Sequence, residues 1–291
     1  MVKLGVIGGS GLYAIPDLTH VESSDLDTPF GPPSDPPVMG RLGDTDIVFI
    51  SRHGEGHRLS PANLPYRANI YALKQLGVTH VLSVSAVGSL REDLPPRSLV
   101  LPDQIIDRTV DRPRTFFDDG VVAHVGIASP FCTVFRNALT SAAIAVGQPV
   151  RAEGTYVCIE GPQFSTKAES ALYRTWGASI IGMTVMPEAR LAREAELCYA
   201  TAALVTDYDV WHDTEAEVSV ESVGSHLAAN VGTSLSLIRS LLNSGLPDRS
   251  CGCADALANA IVTAPTSIAP AVWDRLGVIG ERYLPDAPTQ S

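Results

Sequence analysis

The sequence contains no stretch approaching the roughly 18 uninterrupted apolar residues that a membrane span requires. It also lacks the pattern of a secretory leader, because Met1-Val2-Lys3-Leu4-Gly5-Val6-Ile7-Gly8 turns glycine-rich before an apolar leader core can form. Together these absences predict a cytoplasmic protein that makes no use of a membrane. Positive charge is scarce as well. Lys and Arg total 21 against 32 Asp and Glu, giving a formal net charge of -11, and no basic run concentrates positive charge locally, which argues against a nucleic-acid partner. Charged residues make up only 18% of the chain, below the roughly 25% of an average globular protein, and hydrophobic residues make up 45%. That balance excludes disorder. There is no internal repeat, no low-complexity segment and no P-loop lysine motif that would hold a nucleoside triphosphate. Cysteine is sparse and odd in number: Cys132, Cys158 and Cys198 lie in apolar segments and read as buried thiols, leaving only Cys251 and Cys253 to explain. Two cysteines that close in sequence cannot chelate a metal alone, so no metal site is expected.

What is present is a repeating order of short apolar strands, polar loops and amphipathic helices. Leu4 to Ile7 reads as a buried strand running into Gly8-Gly9-Ser10-Gly11. Residues 14 to 37 carry six prolines and read as loop. Val38 to Leu42 and Ile47 to Ser51 form an expected hairpin about Gly43-Asp44-Thr45-Asp46, and Arg52-His53-Gly54 sits at its end. A helix from Tyr66 to Leu76, stopped by Gly77, leads to a strand from His80 to Ser85 with Ala86-Val87-Gly88-Ser89 as its exit loop. Tyr156 to Ile159, a helix from Thr166 to Trp176, Ser179 to Ile181, a helix from Pro187, Tyr199 to Val205 and a long helix from Val218 to Leu242 complete the pattern. Such alternation implies an α/β fold: a single domain with a mainly parallel central sheet flanked by helices on both faces. The catalytic unit is expected to span residues 1-244, with Gly245 to Asp248 linking it to a C-terminal extension, 245-291, that holds the C-x-C pair and a short helix.

Ligands of parallel sheets bind beyond the carboxyl ends of the strands, and each polar cluster above lies at such an end. Gly9-Ser10-Gly11-Leu12-Tyr13-Ala14 formally fits a dinucleotide fingerprint, but Pro16 interrupts the helix that NAD binding requires. A glycine loop with a serine hydroxyl suits a smaller anion better. Arg52 can hold two oxygens of an anion through its planar charge, His53 is a further donor, and Ser85 and Thr184 offer hydroxyls at strand ends. These five residues make an inventory for free orthophosphate. Asp207-Tyr208-Asp209 ends an apolar strand, where the acids either cap and pair locally or read a heterocycle. In the second case one carboxyl stays protonated to donate to a ring nitrogen, and its neighbour accepts from an exocyclic amine, a pattern that matches an adenine edge.

The combination of Gly8-Gly9-Ser10-Gly11-Leu12, Ser51-Arg52-His53-Gly54, Glu160-Gly161-Pro162-Gln163-Phe164-Ser165 and Gly182-Met183-Thr184-Val185-Met186-Pro187-Glu188 resembles the trimeric purine nucleoside phosphorylase family over about residues 3 to 242. The resemblance implies a nucleoside phosphorylase-like fold, a homotrimer, and phosphorolysis of a nucleoside with inorganic phosphate as co-substrate and no cofactor. It places phosphate against Ser10, Arg52, His53, Ser85, Ala86 and Thr184. Ala86 and Met183 line the ribose and base, Phe164 lies against the purine, and Asp207 and Asp209 read N7 and the 6-amino group, with Asp207 the catalytic acid. Relatives that take 6-oxopurines typically carry glutamate and asparagine where this chain has Ser165 and Asp207, so the resemblance implies adenine, in 5'-methylthioadenosine as substrate. Val220, and His124 reaching from a neighbouring subunit, resemble residues that close a 5'-alkylthio pocket. Gly182 stands where some relatives carry asparagine, and Ser10 where some carry threonine. The C-x-C pair is similar to one that forms a redox-active disulfide in some members, and is otherwise expected to be an exposed thiol pair.

Overall fold

The computed structural model describes residues 3–9, 18–212 and 220–283, with side chains left aside for residues 220–229. In chain order the elements are β1 (Leu4–Gly8), β2 (Thr19–Ser23), β3 (Val38–Leu42), β4 (Thr45–Ser51), α1 (Tyr66–Gln75), β5 (His80–Ser89), β6 (Leu99–Val100), β7 (Gln104–Arg108) and α2 (Thr133–Ala145). There follow β8 (Val150–Arg151), β9 (Thr155–Ile159), α3 (Lys167–Thr175), β10 (Ile180–Gly182), α4 (Val185–Glu194), β11 (Cys198–Asp207), α5 (Val220–Asn243) and α6 (Pro270–Leu276).

Among the described residues the strands form one mixed sheet whose main path runs β2-β3-β4-β1-β5-β10-β9-β7, with β11 pairing the long β5 in parallel. Six of the strand pairings are parallel and four antiparallel, so the expected mainly parallel α/β sheet is what the chain forms. Side chains on a strand alternate between faces, and β11 shows the result directly. Its Cys198, Ala200, Ala202 and Leu204 enter the apolar layer beneath α2 and α5, while Tyr199, Ala203 and Val205 enter the layer beneath α1 and α4. Burial on both faces is why β1, β5 and β11 read as near-continuous apolar runs.

Local signals set the helix ends. At the close of α1 the Leu76 N–H returns to the Ala72 carbonyl, and Gly77 turns the chain with φ +76, a conformation that costs a side chain strain. At the start of α3 the Thr166 hydroxyl accepts from the Glu169 N–H, while the Glu169 carboxylate accepts from the Thr166 N–H at 2.8 Å.

Two expectations need correction. Residues 14 to 37 are not loop throughout, because Thr19–Ser23 pairs antiparallel with β3 as an edge strand. All five of its residues are exposed, so no apolar alternation marks it in the sequence. Ala86 to Ser89 are not an exit loop either. They continue β5, held by β11 on one side and by β10, which pairs with Gly88 and Ser89, on the other. Beyond α5 the chain folds back on the same sheet: Cys253 joins one apolar layer and Leu257, Leu276 and Ile279 join the other.

Candidate functional site

A lapse in burial marks an opening at the sheet's carboxyl end. Along β5 the residues from His80 to Ser85 are buried, Ala86 is exposed, Val87 is buried and Gly88 is half-open. Strand ends carrying polar residues surround this opening. Ser85 Oγ lies 3.3 Å from Thr184 Oγ1 at the start of α4 and 3.3 Å from Tyr156 Oη on β9. Arg52, one residue past β4, is 2% exposed and reaches the same strand, donating from Nη1 to the Val84 carbonyl at 2.9 Å.

The setting of Arg52 is closed and specific. Its Nε and Nη2 grip the two oxygens of Glu188, at 3.0 and 3.2 Å, and Nη2 also donates to Ser83 Oγ at 2.8 Å and the Ile7 carbonyl at 3.1 Å. The Tyr199 hydroxyl donates to the same carboxylate at 2.8 Å. Burial opposes the guanidinium charge, but Glu188 outweighs it and raises the pKa of Arg52 further. Most of the Arg52 donors are therefore spent on the protein, and Nη1 retains one N–H with no acceptor among the described residues. Its neighbour His53 is neutral. Burial pushes its pKa down to about 4, the Nδ1 side holds the Leu59 carbonyl at 2.9 Å, and the ring stacks on His57 at 4.1 Å.

On the other side of Ala86, Asp207 ends β11. The Thr206 hydroxyl donates to its Oδ2 at 2.7 Å and the Asp209 N–H donates to its Oδ1 at 2.8 Å. Asp209 differs. It is buried, its Oδ2 has no hydrogen-bond partner among the described residues, and burial, reinforced by the Asp207 charge, pushes its pKa up to about 6. Desolvation thus favours the protonated form of Asp209. Gly88 makes this pair possible: a Cβ there would stand 2.9 Å from Asp207 Oδ1 and 3.3 Å from Asp209 Cβ.

Phe164 is 43% exposed on the loop after β9, and the neighbouring Ser165 Oγ is buried without a partner among the described residues. Met183 lies between β10 and Thr184, its carbonyl fixed by Arg112 Nη1 at 2.8 Å. Ser10 and the Val220 side chain lie outside the described residues. His124 stands apart from this set, its N–H bonded to the Ala260 carbonyl at 2.8 Å, in a depression lined also by Arg114, Phe117, Ile127, Arg190 and Glu194.

Sequence reasoning assigned no role to Glu188, Tyr156 or Arg112. Arg112 ties the two site loops together, donating to the Met183 and Met186 carbonyls at 2.8 and 2.6 Å and to the Glu160 carbonyl at 2.5 Å. It sits in an irregular loop, so no periodicity announces it. Tyr156 explains Gly182: a Cβ there would lie 1.9 Å from the Tyr156 hydroxyl, which fills the space a side chain would need.

Residues 3–243 match the model of the phosphorylase superfamily. The S-methyl-5'-thioadenosine phosphorylase of Chloroflexus aurantiacus is 54% identical over 281 residues, covering 96% of this chain and 98% of that one. That of Koribacter versatilis is 49% identical, with 97% of each chain covered. Among solved structures, a methylthioadenosine phosphorylase sourced from an antarctic soil metagenomic library is 47% identical and superposes with a TM-score of 0.90, covering 96% of this chain and 98% of that one. The Schistosoma mansoni methylthioadenosine phosphorylase in complex with adenine gives 37% identity and a TM-score of 0.81, covering 89% and 96%.

Proposed function

The chain belongs to the phosphorylase superfamily, and from that premise we propose that it catalyses phosphorolysis of 5'-methylthioadenosine to adenine and 5-methylthioribose 1-phosphate. The observation that carries the reading is the opening at Ala86, with a hydroxyl and arginine cluster on one side and an acid pair on the other along the same strand. Ser85 and Gly88 are three residues apart on β5, a span of about 10 Å in which a ribose sits between its two reacting neighbours.

Breaking the glycosidic bond puts positive charge on the sugar and negative charge on the purine, so both ends need stabilisation. Phosphate, held by Ser10, Arg52, His53, Ser85, Thr184 and the Ala86 backbone, supplies the nucleophile and the negative charge facing the sugar. The buried Glu188 clamp fixes the guanidinium, so that it meets phosphate without reorganising. At the base, burial raises the Asp209 pKa to about 6, so near neutral pH it is mostly ionised and accepts from the 6-amino group. Asp207 is the acid that passes a proton toward N7 as the purine leaves. Phe164 packs on the ring, Ser165 Oγ gains a polar partner, and Met183 lines the sugar. Val220, and His124 of a neighbouring subunit in a homotrimer, close an apolar pocket over the methylthio group.

This is a reaction of small molecules in the cytoplasm, with phosphate as co-substrate and no cofactor in the chemistry. Base release from methylthioadenosine, methylthioinosine, adenosine and inosine, each with and without phosphate, tests it. Phosphate-dependent release fastest from methylthioadenosine is expected. Preference for the inosine forms, or adenine binding without turnover, overturns the assignment.

A further inference from the structure

The fold gathers four of the five cysteines into one place outside the crevice. Cys132 occupies the N-cap position of α2, Cys198 opens β11, and Cys251 and Cys253 lie on the segment that returns after α5. Their four Sγ atoms all lie within 4.8 Å of one another, and those of Cys198 and Cys251 are 3.4 Å apart. Cys253 is 3% exposed, which corrects the expectation of an exposed thiol pair, and Cys132 and Cys198 are buried beside it.

We propose that Cys132, Cys198, Cys251 and Cys253 form a structural zinc site that fastens the C-terminal segment to the catalytic core.

Three features favour a metal over four packed thiols. A tetrahedron with Zn–S bonds of about 2.3 Å has sulphur–sulphur edges of about 3.8 Å, so the observed tetrad encloses zinc after only small side-chain adjustments. Disulfides instead require sulphurs about 2.05 Å apart, in pairs. The second feature is charge. Four thiolates around Zn2+ carry two net negative charges, and two arginines stand ready for them. Arg193 Nη1 donates to Cys253 Sγ at 3.4 Å. Arg249 lies beside Cys198, and its buried Nε has no acceptor among the described residues. The third is the donor set. An all-thiolate, closed tetrahedron suits zinc in a structural role, since no position is left for a substrate. The positive end of α2 adds support for the Cys132 thiolate.

Binding is a proton exchange without redox change. Zn2+ displaces four protons from four thiols, four Zn–S bonds replace four S–H bonds, and the protons go to solvent. The tie matters mechanically because the three contributing segments are far apart in sequence. Cys132 and Cys198 belong to the sheet and its covering helix, whereas Cys251 and Cys253 begin the stretch that carries Leu257, Leu276 and Ile279 into the core.

The test is metal analysis of the full chain, expressed with zinc in the medium and purified under reductant without chelator. About one zinc per chain is expected. The double variant Cys251→Ser/Cys253→Ser should lose at least tenfold of it, while Cys158→Ser, which removes the buried cysteine outside the tetrad, should keep it. Cobalt exchanged into the wild-type protein should give the intense visible bands of a tetrahedral thiolate site, a readout that does not depend on how well any variant folds. Chelation of the wild type should lower its melting temperature, and zinc should restore it. Wild-type protein that holds no zinc and takes up none under reductant overturns the proposal. So does an intact mass four hydrogens light, which means two disulfides. Neither result bears on phosphorolysis, which the substrate panel tests separately.

Discussion

At the proposed phosphate end of the crevice Arg52 spends its donors on Glu188, Ser83 and two backbone carbonyls, whereas at the base end Asp209 Oδ2 and Ser165 Oγ are buried with no partner among the described residues. Among the described residues the first wall is mostly satisfied by the protein itself, with one Arg52 N–H left over. The second holds polar atoms whose desolvation is uncompensated until something donates or accepts there. A site built this way keeps its anion-binding charge rigid and stores its selectivity in unsatisfied groups: a base that lacks the matching donors leaves those groups unpaired, and is rejected for that reason. The two ends should therefore fail differently when they are altered.

The largest effect is expected from Arg52→Ala, which leaves the Glu188 carboxylate buried without its cation. A loss of about 3–5 kcal/mol in stability is expected, with weakened phosphate use in whatever remains folded. Denaturant melts measure the first and phosphate KM the second; unchanged values for both would show that this wall is not prebuilt. Next comes Asp207→Asn at the other end, which should leave the melt near wild type and lower turnover on methylthioadenosine by about 100-fold or more. Near-wild-type turnover would remove Asp207 from the chemistry.

Acidity separates the walls more finely, because the two shifts have opposite signs. His53 is lowered from 6.5 to about 4, so between those values the unfolded chain binds the proton that the folded one refuses, and stability falls as pH drops through that window. Asp209 is raised from 3.8 to about 6, so there the folded chain keeps a proton that the unfolded one has released, and stability falls as pH rises through that window. In urea melts taken from pH 4 to 6.5, His53→Gln should remove the first slope and Asp209→Asn the second. Identical pH profiles for the two variants would erase the distinction between the walls. Smallest of all, Ser85→Ala removes one neutral hydroxyl and should raise phosphate KM by about fivefold, the worth of roughly 1 kcal/mol.

Much of this was legible in the chain itself, and the exceptions share a cause. The strands that are buried on both faces, the α1 stop at Gly77 and the Thr166/Glu169 start of α3 depend on neighbours within a few residues, so local pattern suffices to find them. The exposed edge strand β2 carries no apolar alternation, because it pairs with β3 through backbone and all five of its residues are exposed. The residues at the strand ends were identifiable by type, but their partners were not. Arg52 and Glu188 are 136 residues apart, and Cys132 and Cys198 meet the C-x-C pair only after the chain has turned back past α5. Long-range pairing of that kind is set by topology, and a single sequence carries no periodic trace of it.

The contact between Gly182 and Tyr156 couples two positions that sequence alone treats as independent. Because the tyrosine oxygen fills the space where a side chain on β10 would begin, and also stands 3.3 Å from Ser85 Oγ, neither position is free to change by itself. Enlarging Gly182 displaces the phenol from the hydroxyl cluster, while trimming Tyr156 opens a void beside the strand end. An exchange that placed asparagine at 182 would need a smaller residue at 156 in the same step.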